Sequence, residues 1–177
     1  MTEAERSFAR VDAALKGYLR VLPAGRFTSL FPCTQTGGSL QLSESAQSSL
    51  PDGLAQYLRA MNDKLSAILS ILTQQTLHED FPVPVLIHDI SGAGIRFSAN
   101  QEFELGQGVE VVIALSNQPQ SLAGAMGVVL RAEEHQGERL WALEFKDMSD
   151  CEREKIIQFV VARQREKLRE RHLAPSS

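Results

Sequence analysis

Residues 83–99 read VPVLIHDISGAGIRFSA, two β-rich runs joined by a turn that carries an aspartate, a serine and two glycines. β-branched and aromatic residues crowd both runs, and Gly, Asn, Pro or charged residues bound them, the pattern of short strands. Three more runs of this kind follow: GVEVVIAL at 108–115, GAMGVVLRAE at 124–133 and RLWALEF at 139–145. Five strands at such short spacing predict an antiparallel sheet or barrel. At the turn, Asp89, Ser91 and Gly94 bring a carboxylate, a hydroxyl and bare backbone together, with Gly92 and Gly94 permitting geometry and close approach that other residues resist.

Beyond the sheet, Ser149 and Glu152 have the spacing of a capping box. Ile156, Ile157, Val160, Val161 and Leu168 then repeat with a helical period, so a C-terminal helix is expected over 149–172. Upstream, ALKGYLRVL at 14–22 has an imperfect strand alternation that Gly17 interrupts, and Pro23, Ala24 and Gly25 turn the chain. A short apolar run, RFTSLF at 26–31, precedes a Thr, Gly and Ser-rich stretch that reads as loop. From 49 to 77 the period changes. Leu54, Leu58, Met61, Leu65, Ile68 and Leu72 are spaced alternately by four and three, the seam of a coiled coil. Leu69, Ile71 and Tyr57 widen the stripe beyond what a two-stranded coil needs, a width that a higher-order bundle or packing onto the sheet could use, while the strict four-three spacing favours self-association.

With 177 residues, 43% of them hydrophobic and 23% charged, the sequence fits one soluble globular domain. The net charge of −4 supplies no general field for nucleic acid or anionic membrane, so an anionic ligand must be met by local arginines. MTEAERSFAR lacks the apolar core of a signal peptide, and no run approaches the length of a spanning helix. Cys33 and Cys151 are too isolated for a disulfide framework. A cytoplasmic protein is expected.

Arg6 and Arg10 form RxxxR on a segment expected to be mobile and to lie just ahead of the first strand. RSFAR together with DISGAG resembles the two hallmarks of the PilZ family, RxxxR and [D/N]xSxxG. DCEREKIIQFVVARQRE also looks like that family's usual ending. The resemblance implies a six-stranded barrel that binds cyclic di-GMP, clamped between the arginine arm and the DxSxxG turn. Arg6 and Arg10 would hold phosphate or the guanine O6/N7 edge with their planar forks. Asp89 would accept from the guanine N–H edge, Ser91 would donate, and Gly94 would leave room for the ring. Arg96 is a possible secondary contact. Neither Arg10 nor Asp89 is expected to support the core.

The long gap between Arg10 and Asp89 resembles the helix-inserted, tetramer-forming branch of the family. The parsing is then a single domain over 1–177: arm 1–12, barrel 13–31 and 82–147, heptad helix 49–77 and C-terminal helix 149–172. The helix seam is expected to make a homo-oligomer, and signalling is expected to run through contacts with an effector protein that the sequence does not identify.

Other chemistries find little support in the sequence. His78, His88, His135 and His172 have no paired ligand spacing, so no metal or cofactor is expected. Strand alternation should point His88 away from Asp89 and Ser91, which argues against a catalytic triad and an enzyme. Gly92 and Gly94 open no helix, so a phosphate-cradling loop is excluded. Arg163, Arg165, Lys167, Arg169 and Arg171 suit a helix C-terminus better than a nucleic-acid site. The rival reading is a ligand-independent oligomeric adaptor of a motility or secretion system.

Overall fold

The computed structural model of the protein describes residues 9–24, 28–31, 51–116 and 121–173. Six strands close into an antiparallel barrel: β1 (Arg10–Val21), β2 (Val83–Ser91), β3 (Gly94–Ala99), β4 (Gly108–Ala114), β5 (Leu122–His135) and β6 (Glu138–Asp147). Their order around the barrel is β1-β2-β3-β6-β5-β4, and β1 pairs with both β2 and β4 to complete it. Closure leaves no open sheet edge. The five strands expected between 83 and 145 are present, and 14–21 belongs to the sixth, which begins at Arg10.

Alternate residues of each strand fill the interior. Leu19, Ile87, Ile90, Ile95, Phe97, Val109, Val111, Ile113 and Val129 are among those buried in one core. Phe103 joins Phe97 and Trp141 edge to face, with ring centroids 5.5 and 5.3 Å apart. The β5–β6 hairpin turns on Gln136 and Gly137, both at positive φ, the backbone that a two-residue primed turn requires.

Two helices stand outside the barrel: α1 (Asp52–Asp80) and α2 (Asp150–Leu173). Pro51 precedes α1, and Pro82 disfavours helical backbone at Phe81, so the helix runs three residues past the expected end. Only its C-terminal end is sunk into the barrel wall, where Leu77 and Phe81 pack with Val112, Tyr18, Phe31 and Leu122. Along the rest of α1, Leu54, Tyr57, Met61, Leu65, Ile68, Leu69, Ile71 and Leu72 are exposed, and Leu58 is half-buried. The seam therefore does not serve as a packing surface against the barrel.

Helix α2 buries Ile156 and Val160 against the core. Its capping box is half formed. Ser149 Oγ accepts from the Glu152 amide at 3.3 Å, but the Glu152 carboxylate turns away and accepts from the Gly124 amide at 2.8 Å and from Lys155 at 2.8 Å. The residue expected to cap the helix thus fastens it to β5.

A second buried carboxylate pins the segment after β1. Glu110 on β4 is 1% exposed and receives Arg20 Nε at 2.6 Å, Ser29 Oγ at 2.6 Å and the Leu30 and Phe31 amides at 3.0 and 3.1 Å. Phe31 then lies against Gly124, where a Cβ would stand 2.5 Å from the ring and would displace it. A lone glutamate inside the apolar run GVEVVIAL was the visible sign of this node.

Candidate functional site

A β-bulge at His88 builds the site. The β2–β3 register steps from Ile87↔Phe97 to Asp89↔Arg96, so one extra residue is spent on β2. Simple alternation would carry Asp89 and Ser91 inward after Ile87. The bulge instead sends Ile90 into the core and leaves Asp89 on the outer face with Arg96. It also overturns the expectation that His88 points away from Asp89. His88 Nε2 lies 2.9 Å from Ser98 Oγ, and Ser98 is two residues from Arg96 on the same face of β3.

Asp89 is 1% exposed and sits between two guanidiniums. Arg96 Nε donates to Oδ2, and Arg10 Nη1 stands 3.1 Å from Oδ1. The second contact is an ion pair without hydrogen-bond alignment, so Oδ1 is buried with no hydrogen-bond partner among the described residues. Such a group is costly unless something supplies a donor.

Arg10 is not on a mobile arm ahead of the sheet. It opens β1, in register with Ser91. Closure of the barrel through β1 recruits it, and its guanidinium reaches Asp89 while remaining 44% exposed. Arg6 lies outside the described residues. The insertion between Arg10 and Asp89 does not separate them, because β1 and β2 are neighbours in the barrel.

Ser91 is buried. Its hydroxyl donates to the Gly94 carbonyl at 3.2 Å and accepts from the Ala93 amide at 3.3 Å, which closes the turn on itself. A Cβ on Gly94 would stand 2.1 Å from the Leu143 carbonyl oxygen. The room expected here for a ligand ring is thus taken by the close approach of β3 to β6, and packing alone demands the glycine. Neither Gly92 nor Gly94 has positive φ.

Arg96 is 31% exposed and also meets Glu133 Oε2 at 3.5 Å. Burial disfavours its cation, but hydrogen bonding and attraction from Asp89 and Glu133 prevail and raise its pKa above the ordinary guanidinium value. Glu133 in turn is held below the ordinary carboxyl range, first by its hydrogen bond from Arg131, against burial, and further by Arg96. Asp12 is held low by a hydrogen bond from Lys167 of α2 and by its charge. Glu133 and Arg131 did not stand out in the sequence, and nothing in it linked Lys167 with Asp12. Only the strand order brings them beside Asp89.

Among the described residues no cluster of His, Cys, Asp and Glu could hold a metal ion, and no helix is long and apolar enough to cross a membrane.

Comparison with known proteins agrees with this architecture. The chain resembles the Bacillus subtilis inhibitor of motility at 15% identity, with TM-score 0.53, over 92% of this chain and 52% of that one. It thus spans about half the length of that protein. It also resembles a Xanthomonas campestris protein, described as a tetrameric PilZ domain self-assembled through a helical bundle. That match has 16% identity and TM-score 0.61 and covers 93% of this chain and 92% of that one. No curated protein matches the chain significantly. The sequence profile of the PilZ domain, a cyclic di-GMP-binding family, matches residues 57–162, more than half of the chain, and the chain belongs to the PilZ family.

Proposed function

We propose that this PilZ domain is a non-catalytic receptor for cyclic di-GMP that acts in the cytoplasm through protein–protein contacts. The observation that carries the reading is Asp89 Oδ1, a buried carboxylate oxygen with an ion-pair neighbour and no hydrogen bond among the described residues. A guanine N–H edge would supply the missing donor. Arg10, nearly half exposed and held among the described residues only by that misaligned contact, can turn its fork to a phosphate or to the guanine O6/N7 edge. Arg6, four residues upstream, would be drawn down by the same ligand. Ordering of that segment against β2 would alter the surface an effector meets. Ser91 would need to release the Gly94 carbonyl to donate to the ligand.

The exposed apolar face of α1 supports a second element of the reading, a homo-oligomer formed through Leu54, Leu58, Met61, Leu65, Ile68 and Leu72. The likeness to a PilZ domain described as tetrameric favours it. The same face also serves the rival reading, an assembly module that needs no nucleotide. Calorimetric titration with cyclic di-GMP separates the two. Saturable binding that is lost in Arg10→Ala supports the receptor, and absence of binding by the wild-type chain leaves the adaptor.

A further inference from the structure

Arg131 on β5 stands in the same cross-strand row as Asp89. The register runs Asp89↔Arg96 from β2 to β3, Arg96↔Ala142 from β3 to β6 and Ala142↔Arg131 from β6 to β5. With strands ~4.8 Å apart, the backbones at Arg96 and Arg131 lie roughly 10 Å from one another, with only a methyl group between them at Ala142. Glu133 bridges the two guanidiniums, with Oε2 3.5 Å from Arg96 Nη1 and Oε1 2.5 Å from Arg131 Nε. Arg131 is 51% exposed, so its fork is open to solvent on the side that Glu133 does not take.

Asp12 extends the row beyond Asp89 on β1 but is already paired with Lys167, and Arg10 of β1 stands on Asp89, so the further cations of the row lie at its other end, at Arg96 and Arg131. An anionic ligand anchored at Asp89 by a guanine edge and met by Arg10 finds its next cations across β3 and β6, at Arg96 and Arg131. A dinucleotide with two phosphates and two bases offers more acceptors than Arg10 and Arg6 meet, and further donors lie in this direction. The bridging carboxylate already shows what Arg96 and Arg131 together accept: a two-oxygen anion.

We propose that Arg131 is a further ligand-binding residue, and that Glu133 occupies the Arg96 and Arg131 guanidiniums as an internal stand-in until a cyclic dinucleotide displaces it. This rests on the proposed reading of the Asp89 site. The two residues therefore act on affinity with opposite signs, which a merely structural surface ion pair would not do.

The test is calorimetry with cyclic di-GMP on the full chain and four variants. Arg131→Ala weakens binding on the order of tenfold, the loss of one charge-assisted hydrogen bond. Glu133→Gln tightens it several-fold, because the competing anion is gone. Arg153→Ala, which removes an exposed cation from the first turn of α2, leaves affinity unchanged and controls for net charge. Arg10→Ala tests the parent reading. If Arg10→Ala loses binding while Arg131→Ala keeps it, or if Glu133→Gln weakens it, the extension is overturned and the receptor stands. If the wild-type chain does not bind, both are overturned.

Discussion

Asp12 and Asp89 face each other directly across β1 and β2, two carboxylates in a pairing position that disfavours like charges. Each is neutralised from a different side. Asp89 is buried between Arg10 and Arg96, whereas Asp12 is exposed and meets Lys167 Nζ at 2.5 Å. Lys167 belongs to the distal half of α2, so that helix is tied to the same outer face as the candidate site.

The Asp12 carboxyl should titrate below the ordinary aspartate value of about 3.9, and Lys167→Met should return it toward that value. Its folded pKa is depressed, so the small stabilisation is present above the unfolded pKa and is lost as pH falls through the folded one. Carboxyl-detected NMR titration of the two proteins measures the shift. An unchanged Asp12 in Lys167→Met would mean that the pair does not form in solution.

Arg10→Ala and Asp89→Ala should behave differently, although both face the candidate site. Arg10 is half exposed, and its loss should cost less than about 1 kcal/mol. Asp89→Ala removes a buried carboxylate and leaves Arg96, itself part-exposed, with Glu133 alone, and should cost about 1–3 kcal/mol. With that outcome, the expectation that neither residue supports the core would hold for Arg10 alone. Urea denaturation of the two variants reads the difference, and equal midpoints would refute it.

Gly94→Ala should destabilise the barrel by about 1–3 kcal/mol, because the added methyl has nowhere to go but into the Leu143 carbonyl, which is backbone and cannot turn aside. Thermal unfolding checks this without any ligand. A Gly94→Ala protein that melts like wild type but fails to bind would restore a ligand-facing role to the glycine.

Replacing Leu58, Leu65 and Leu72 with asparagine should yield smaller species by light scattering and leave the far-ultraviolet signature of the barrel intact, since these side chains lie outside its core. A wild-type protein that is already monomeric at micromolar concentration would defeat the assembly reading.

The parts of this molecule legible in the sequence are those governed by local period. The five strands after Pro82, the heptad helix and the C-terminal helix all announce themselves by which residues are apolar and how far apart they stand. Strand β1 is legible only in part: its alternation shows from residue 14, whereas the strand begins at Arg10, in the stretch expected to be an arm. Gly17 does not break that pattern: it faces inward, where a Cβ would meet Val85 and Ile87 at 3.0 and 3.1 Å. The motif residues Arg10, Asp89 and Arg96 were also visible and do meet. What the sequence concealed depends on pairings between distant strands. The bulge at His88 reverses which residues face outward. The order β3-β6-β5 sets Arg131 in line with Arg96 although 35 positions separate them in the chain.

Phe31 and Leu77 share one apolar patch on the barrel wall, so the long excursion between them leaves and returns at nearly the same point. Such a detour can be gained or lost in evolution without disturbing the closure of the strands, much as a handle is fitted to a vessel. The proposed ligand face and the proposed association surface would then be free to diversify independently, one written on the wall and the other on the handle.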